Sequence, residues 1–317
     1  MDFHLYFHDD LDGIATGAVF LKFLRTRGDQ FTSYTPLEYG PALDKIWREY
    51  AFKSPSVLVD FRYHPSADWW VDHHGTAFFY DEWKASYHDD AQHYYDPKGQ
   101  SGCGTMIMFL KKQHGYDVPD YHHELARRVD AIDSASFESV EEAISTTLPH
   151  MQLSLIIEGF VQKDRASEYQ AFRQAMIGAL ADTPLADIVR EPQYREYLEK
   201  AAHNVSTEIE HIKADAQLRE RAIYIDHSNR GMPYNRFIPF SLFPKQLYVM
   251  TVIKQEGVYK VTFSVNPWRK AESKLVLGEI AREYGGGGHP GIGALRVSSR
   301  EEALKIAEEV LRRLNEF

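Results

Sequence analysis

The sequence predicts an α/β protein: an N-terminal doubly wound, mostly parallel sheet, a helical connector, and a smaller α/β C-terminal domain with a mixed sheet. Three observations carry that prediction. Short apolar strands alternate with helix-period segments in the first third, as in βα units. The stretch from Leu153 to Arg221 is helical in pattern throughout. Two strands joined by a tight turn then open a new sheet late in the chain. At 317 residues the chain is too long for one small core. The pattern divides it into residues 1–190, a connector over 191–220 and a second domain over 221–317.

The elements follow in order. Phe3 to His8 alternates, is rich in aromatic residues and reads as a strand ending at Asp9-Asp10-Leu11-Asp12-Gly13. Gly13 to Leu24 has helical spacing, and Ser33 to Leu37 is a second short strand. Ser56 to Phe61 is almost wholly apolar around Asp60, as expected of a buried parallel strand. In such sheets ligands sit beyond the carboxyl ends of the strands, where Asp10, Asp12 and Asp60 fall. Ser101-Gly102-Cys103-Gly104-Thr105 opens a helix running to about Lys112. Its free N–H groups either face an anion or are simply capped.

Glu191 to Glu220 is charged, lacks glycine and joins the domains. Pro233, Pro239 and Pro244 punctuate a loop region. Leu247 to Lys254 and Val258 to Val265 are strands around a Gln255-Glu256-Gly257 turn. A helix from Ser273 to Tyr284 leads into Gly285-Gly286-Gly287-Gly288-His289. A short strand from Ala294 to Val297 and an amphipathic helix from Arg300 to Asn315 close the pattern.

Composition narrows the function classes. Apolar content of 44% with 26% charged residues is ordinary for a globular protein. No apolar run approaches the ~18–20 residues that span a bilayer, and Met1-Asp2-Phe3-His4 lacks the basic and apolar regions of a signal peptide. Cys103 is the only cysteine, which fits a reducing compartment. These features point to the cytoplasm and to no membrane partner. A net charge of −10 argues against a grip on long duplex DNA. Short phosphate substrates remain compatible with it, because bound metals supply local positive charge. A homodimer stays open.

Four clusters carry chemistry. In His8-Asp9-Asp10-Leu11-Asp12-Gly13, alternate residues of an extended segment project to one side. His8, Asp10 and Asp12 then share a face while Leu11 points into the core. A helix cap explains one Asp, not three beside a His. Asp60 ends the buried strand and gains meaning from its company. Asp72-His73-His74 suits a metal site: one imidazole for the metal, one for a phosphate oxygen, and a carboxylate to orient a ring. The second pair, His122-His123, follows Pro119-Asp120-Tyr121 and reads as a solvated helix start. Fourth comes Arg128-Val129-Asp130-Ala131-Ile132-Asp133, where either Asp can point inward.

Carboxylates with a few histidines and no thiolate select hard-to-borderline cations. A shared Asp can hold two of them ~3.5–4 Å apart, an arrangement suited to hydrolysing a phosphate ester. The glycine run ends in His289, not Lys-Ser or Lys-Thr, so it is no P-loop. Its N–H groups, from Gly286, Gly287 and Gly288, and the imidazole of His289 are candidates to grip a phosphate. Arg269 is a candidate anion contact and Trp268 a candidate base-stacking surface, with ordinary surface placement the competing reading.

Together the motifs resemble the DHH phosphoesterase family with its DHH-associated C-terminal domain. The likeness rests on HDDLDG at His8–Gly13, VDF at Val59–Phe61, VDHHG at Val71–Gly75, an Asp near residue 130, and GGGGHPGIG at Gly285–Gly293, in that order along nearly the whole chain. The resemblance implies a manganese-dependent phosphoesterase, with magnesium or cobalt as alternative ions. It assigns His8, Asp10 and Asp60 to one metal and Asp12, Asp60, His73 and Asp130 to the other, with Asp60 bridging. It places His74 on the scissile phosphate, Asp72 behind the ligands, and His289 with its preceding glycines on the substrate.

The expected substrate is a short nucleotide phosphodiester or a nucleoside bisphosphate. Inorganic polyphosphate is the second enzymatic reading, and a catalytically silent scaffold is the reading from another class. A scaffold would have lost ligands, whereas every expected position carries a suitable side chain.

Overall fold

A computed structural model describes residues 1–160, 166–229, 235–255 and 257–316. Cα packing divides the chain into two units: residues 1–136 with 147–199, and residues 137–146 with 200–317. The division falls inside the helix Arg195–Asp215. The segment Phe137–Thr146, which the pattern grouped with the first domain, packs with the second unit. Pro233 and Glu256 lie outside the described residues.

The first unit is built on five strands: β1 (Asp2–His8), β2 (Gln30–Leu37), β3 (Ser56–Val59), β4 (Trp69–Asp72) and β5 (His93–Tyr95). They lie in the order β2-β1-β3-β4-β5, and all neighbouring pairs are parallel. Alternation along the strands supplies two buried faces. Leu5, Phe7, Val57, Val59 and Val71 enter one apolar cluster, and Tyr6, Leu58 and Trp70 enter the other. Both faces being covered is why these strands read as nearly continuous apolar runs. The helix Leu11–Thr26 is buried along most of its length. It packs against the helices Gly102–His114 and Ala166–Asp182 as well as the sheet, so it carries no wide polar face.

The sequence reading anticipated β1, β2 and β3 but gave no bounds for β4 and did not name β5, and one residue is corrected. The helix Asp120–Asp133 begins beside His122, but that histidine is not solvated. It is fully buried, and its Nε2 lies 3.0 Å from the carbonyl of Leu180. The packing of this helix start on a later helix explains the difference.

The second unit carries β6 (Gln217–Leu218), β7 (Ala222–His227), β8 (Tyr248–Gln255), β9 (Val258–Val265), β10 (Gly287–His289) and β11 (Ile292–Val297). Their order is β10-β11-β9-β8-β7-β6, with β7 and β8 parallel and the other pairs antiparallel. The closing helix, Arg300–Glu316, lays Ala303, Ala307, Val310 and Leu314 against a cluster containing Met250, Val261 and Phe263. No described helix is long and apolar enough to cross a membrane.

Candidate metal centre

The centre forms at the carboxyl end of the first sheet. β1 delivers His8, and the chain then turns directly into a helix whose N-cap is Asp10. The cap carboxylate accepts a hydrogen bond from the Gly13 N–H at 3.0 Å. Asp12 lies in the first helical turn, not on a continued strand. The three residues are therefore gathered by a strand-to-helix turn rather than by extended alternation. Gly13 makes the turn possible, because a Cβ there would stand 2.0 Å from the His8 carbonyl oxygen.

Asp12 is buried and doubly held. Its Oδ2 accepts the Gly102 N–H at 2.6 Å and its Oδ1 accepts the Cys103 N–H at 2.8 Å. The exposed N–H groups anticipated at that helix start thus do face an anion, and the anion is a side chain of the protein itself. Ser101 caps the same helix, accepting from the Gly104 N–H.

Asp60 follows β3 with φ of 53°, a left-handed conformation that Asp tolerates better than most residues. It is fully buried. Neither carboxylate oxygen has a hydrogen-bond partner among the described residues. Oδ1 lies 3.4 Å from His73 Nε2 and 3.6 Å from His74 Nδ1, while Oδ2 lies 3.7 Å from His8 Nδ1. A buried carboxylate with two bare oxygens is costly unless something else pairs with it.

β4 ends in Asp72, whose Oδ1 accepts from His74 Nδ1 at 2.8 Å and from the backbone N–H of His73 at 2.8 Å. This fixes the His74 ring. His73 Nε2 points at Asp12 Oδ2 and Asp60 Oδ1, each 3.4 Å away, and at Asp133 Oδ2, 3.6 Å away. Asp133, not Asp130, is therefore the carboxylate of that helix nearest to His73. Asp130 is drawn aside by the Ser101 hydroxyl, which donates to it at 2.5 Å. It is tucked against Gly104, where a Cβ would approach Asp130 Oδ1 to 2.8 Å.

Electrostatics mark the centre as unbalanced without cations. Burial works against charge on His8, but Asp10 and Asp60 outweigh it and carry its pKa to about 11. His73 is likewise raised to about 11 by Asp12 and Asp60, against burial. His74 rises to about 9 through Asp72, again against burial. Burial, then the charge of Asp12, pushes Asp60 up to about 8. Asp133 is lifted to about 7 by desolvation and by Asp12. Protons here occupy positions that divalent cations would take.

The donor chemistry fits such cations. His8, Asp10 and Asp60 offer ligand atoms within 4.8 Å of one another, as do Asp12, His73 and Asp133, and Asp60, Asp72, His73 and His74. Oxygen and imidazole donors without a thiolate suit manganese, magnesium or cobalt. Cys103 is buried behind the centre with its thiol pushed well above its ordinary pKa by burial.

Sequence reasoning missed Tyr39. Its ring stacks on Phe61 at 4.3 Å and meets His8 edge-on at 5.0 Å. Its hydroxyl is buried without a partner among the described residues. The available signal was its place two residues beyond the end of β2.

The remaining candidates lie in the second unit. His289 is exposed on the edge strand β10. The glycines before it answer a packing need: a Cβ on Gly286 would reach the Ala294 carbonyl oxygen at 2.2 Å, and one on Gly288 the Ile292 carbonyl oxygen at 2.0 Å. Trp268 is half-buried, donates through Nε1 to the Phe137 carbonyl at 3.1 Å and packs on Phe237. Arg269 is engaged by Glu272 and by the Lys245 carbonyl. The structure thus gives both side chains partners within their own unit.

No family model and no curated relative matches the sequence. Solved structures do. The chain is similar to a pGpG-specific phosphodiesterase, PggH, from Vibrio cholerae, with 18% identity over 99% of each chain and a TM-score of 0.75. It is similar to RecJ from Thermus thermophilus in complex with Mn2+, with 13% identity and a TM-score of 0.58, over all of this chain and 52% of that one. The DHH domain of a member of the s1p family of ribosomal proteins aligns at 14% identity over 98% and 86% of the two chains, with a TM-score of 0.61. At these identities the likeness is one of fold, an α/β architecture shared with all three. More narrowly, the fold is that of the DHH phosphoesterases, as the motif order implied.

Proposed function

We propose that this chain is a metal-dependent phosphoesterase that hydrolyses short nucleotide phosphodiesters or nucleoside bisphosphates. The observation that carries the reading is Asp60, fully buried, with both oxygens bare between two histidine–carboxylate groups. A carboxylate so placed is suited to being shared by two cations. His8, Asp10 and Asp60 would hold one, and Asp12, Asp60, His73 and Asp133 the other, with manganese the first choice. When bound, such ions polarise a phosphoryl oxygen and lower the pKa of a water.

The protein's own residues supply the rest. Asp72 fixes the His74 ring through Nδ1, so Nε2 is left to donate to a phosphoryl oxygen. With both ring nitrogens donating, His74 would meet the phosphate as a cation. The Gly102 and Cys103 N–H groups hold Asp12 in one rotamer, so little reorganisation accompanies substrate binding. In the second unit, His289 and the N–H groups of Gly287 and Gly288 are the proposed phosphate contacts, while the Gly286 N–H already donates to the Ala281 carbonyl at 2.9 Å. The likeness to a protein described as pGpG-specific supports a dinucleotide over a long polymer.

The test is turnover by manganese-loaded protein of a dinucleotide, of 3′-phosphoadenosine 5′-phosphate and of inorganic polyphosphate, side by side. Cleavage of either nucleotide in preference to polyphosphate is expected. Inactivity of correctly metallated protein on both nucleotides would overturn the reading.

A further inference from the structure

An open cavity of about 210 Å³ adjoins the metal centre within the first unit. Asp10, Asp12 and Asp133 form the edge it shares with the centre. Leu11, Val129, Ile132 and Ile157 give it apolar walls, and Ser154 and Glu158 supply the polar groups on the helix Pro149–Phe160. The carboxylates around it are not equivalent. Asp9 is neutralised by Arg173, whose Nε donates at 2.7 Å, and Asp10, Asp12 and Asp133 belong to the ligand set. Glu158 has neither role. Among the described residues its one hydrogen-bond partner is the Ser154 hydroxyl, which donates to Oε1 at 3.0 Å. Oε2 is left for a ligand.

A substrate whose phosphate meets the ligands must send its attached nucleoside into neighbouring space. Apolar walls suit the faces of a base, and a polar group at the rim reads its edge. A carboxylate accepts only. Guanine presents N1–H and the N2 amino group side by side, two donors aimed one way. Adenine puts an unprotonated N1 beside its amino group, which would face a carboxylate oxygen. We propose that this cavity seats the nucleobase next to the scissile phosphate and that Glu158 makes it prefer guanine. The inference rests on the phosphodiester reading above and adds a specificity residue to it.

The experiment compares GpG and ApA as substrates of manganese-loaded wild type, Glu158→Ala and Glu158→Gln. It also measures GMP and AMP binding by calorimetry on the same proteins. Wild type is expected to favour guanine in both assays. Either substitution should reduce the guanine-to-adenine ratio by about tenfold to a hundredfold, as for loss of hydrogen bonds to a charged group. Glutamine keeps one acceptor but loses the charge and the second acceptor, so its loss should lie at the lower end of that range and alanine's at the upper end. A merely structural role would lower both substrates together and leave the ratio unmoved, which overturns the proposal. So does a GMP-to-AMP affinity ratio that ignores the substitutions. Wild type that cleaves neither dinucleotide, yet shows a Glu158-dependent preference for GMP, would sink the hydrolytic reading and leave the base site standing.

Discussion

Asp12 and Gly102 are ninety positions apart in sequence, and the Asp12 carboxylate accepts the Gly102 N–H at 2.6 Å. One proposed ligand is thus fastened to the start of a second helix, and the helix dipole shares its charge. Asp12→Asn keeps the shape but turns an amide N–H towards a backbone N–H. We expect this variant to bind one manganese ion per chain instead of two, retaining the ion at His8, Asp10 and Asp60. Calorimetric stoichiometry checks it, and two ions at wild-type affinity would remove Asp12 from the ligand set.

The choice between Asp130 and Asp133 is open to a paired substitution. Asp133→Asn should weaken the second ion by at least about tenfold, the scale on which even supporting residues of metal sites act. Asp130→Asn should cost less, because that carboxylate is turned to Ser101. The reverse order of the two affinities would restore Asp130 as the ligand.

Manganese affinity should rise with pH. His8 and His73, held protonated to about pH 11, must lose protons before an imidazole nitrogen can bind a metal. Asp60, at about 8, must be ionised. Calorimetry from pH 6.5 to 8.5 should show tighter binding at each step and proton release visible as a dependence on buffer ionisation enthalpy. The metal-free fold has a related signature. Groups with raised histidine pKa values contribute stability fully below about 6.5, and that contribution fades as pH climbs towards 11. A raised carboxyl such as Asp60 is best tolerated protonated, so its ionisation from about pH 4 to 8 also removes stability. Metal-free protein should therefore melt at progressively lower temperature as pH rises from 6.5.

Trp268→Phe is expected to act on stability. It removes the donor to the Phe137 carbonyl while keeping an aromatic ring, at a cost of about 1 kcal/mol. Urea unfolding measures that cost. A raised Michaelis constant with unchanged unfolding would instead favour the base-stacking role considered from sequence.

Much of the cluster was legible in sequence because its candidate ligands sit in short runs. His8, Asp10 and Asp12 are neighbours, and so are Asp72, His73 and His74, so local spacing suffices to group them. Asp60 ends an apolar strand and drew its meaning from the other acidic and histidine runs. What stayed hidden depended on long-range packing. The pairing of Asp12 with Gly102 joins two helix starts that no local pattern connects. Asp130 and Asp133 are one helical turn apart and face the same way. The Ser101 hydroxyl, and the room left by the missing Cβ of Gly104, turn Asp130 aside and leave Asp133 nearer to His73. His122 looked solvated because its cover comes from Leu180, far along the chain. Tyr39 carries no motif, and its hydroxyl, without a partner among the described residues, became visible only in three dimensions.

The central claim is that two cations share Asp60. Electron paramagnetic resonance of manganese-loaded protein tests it most directly. Two ions per chain with a spin-coupled spectrum are predicted, and Asp60→Ala should lose both the coupling and turnover. One ion per chain, or two that give only an isolated-ion spectrum, would contradict a shared ligand.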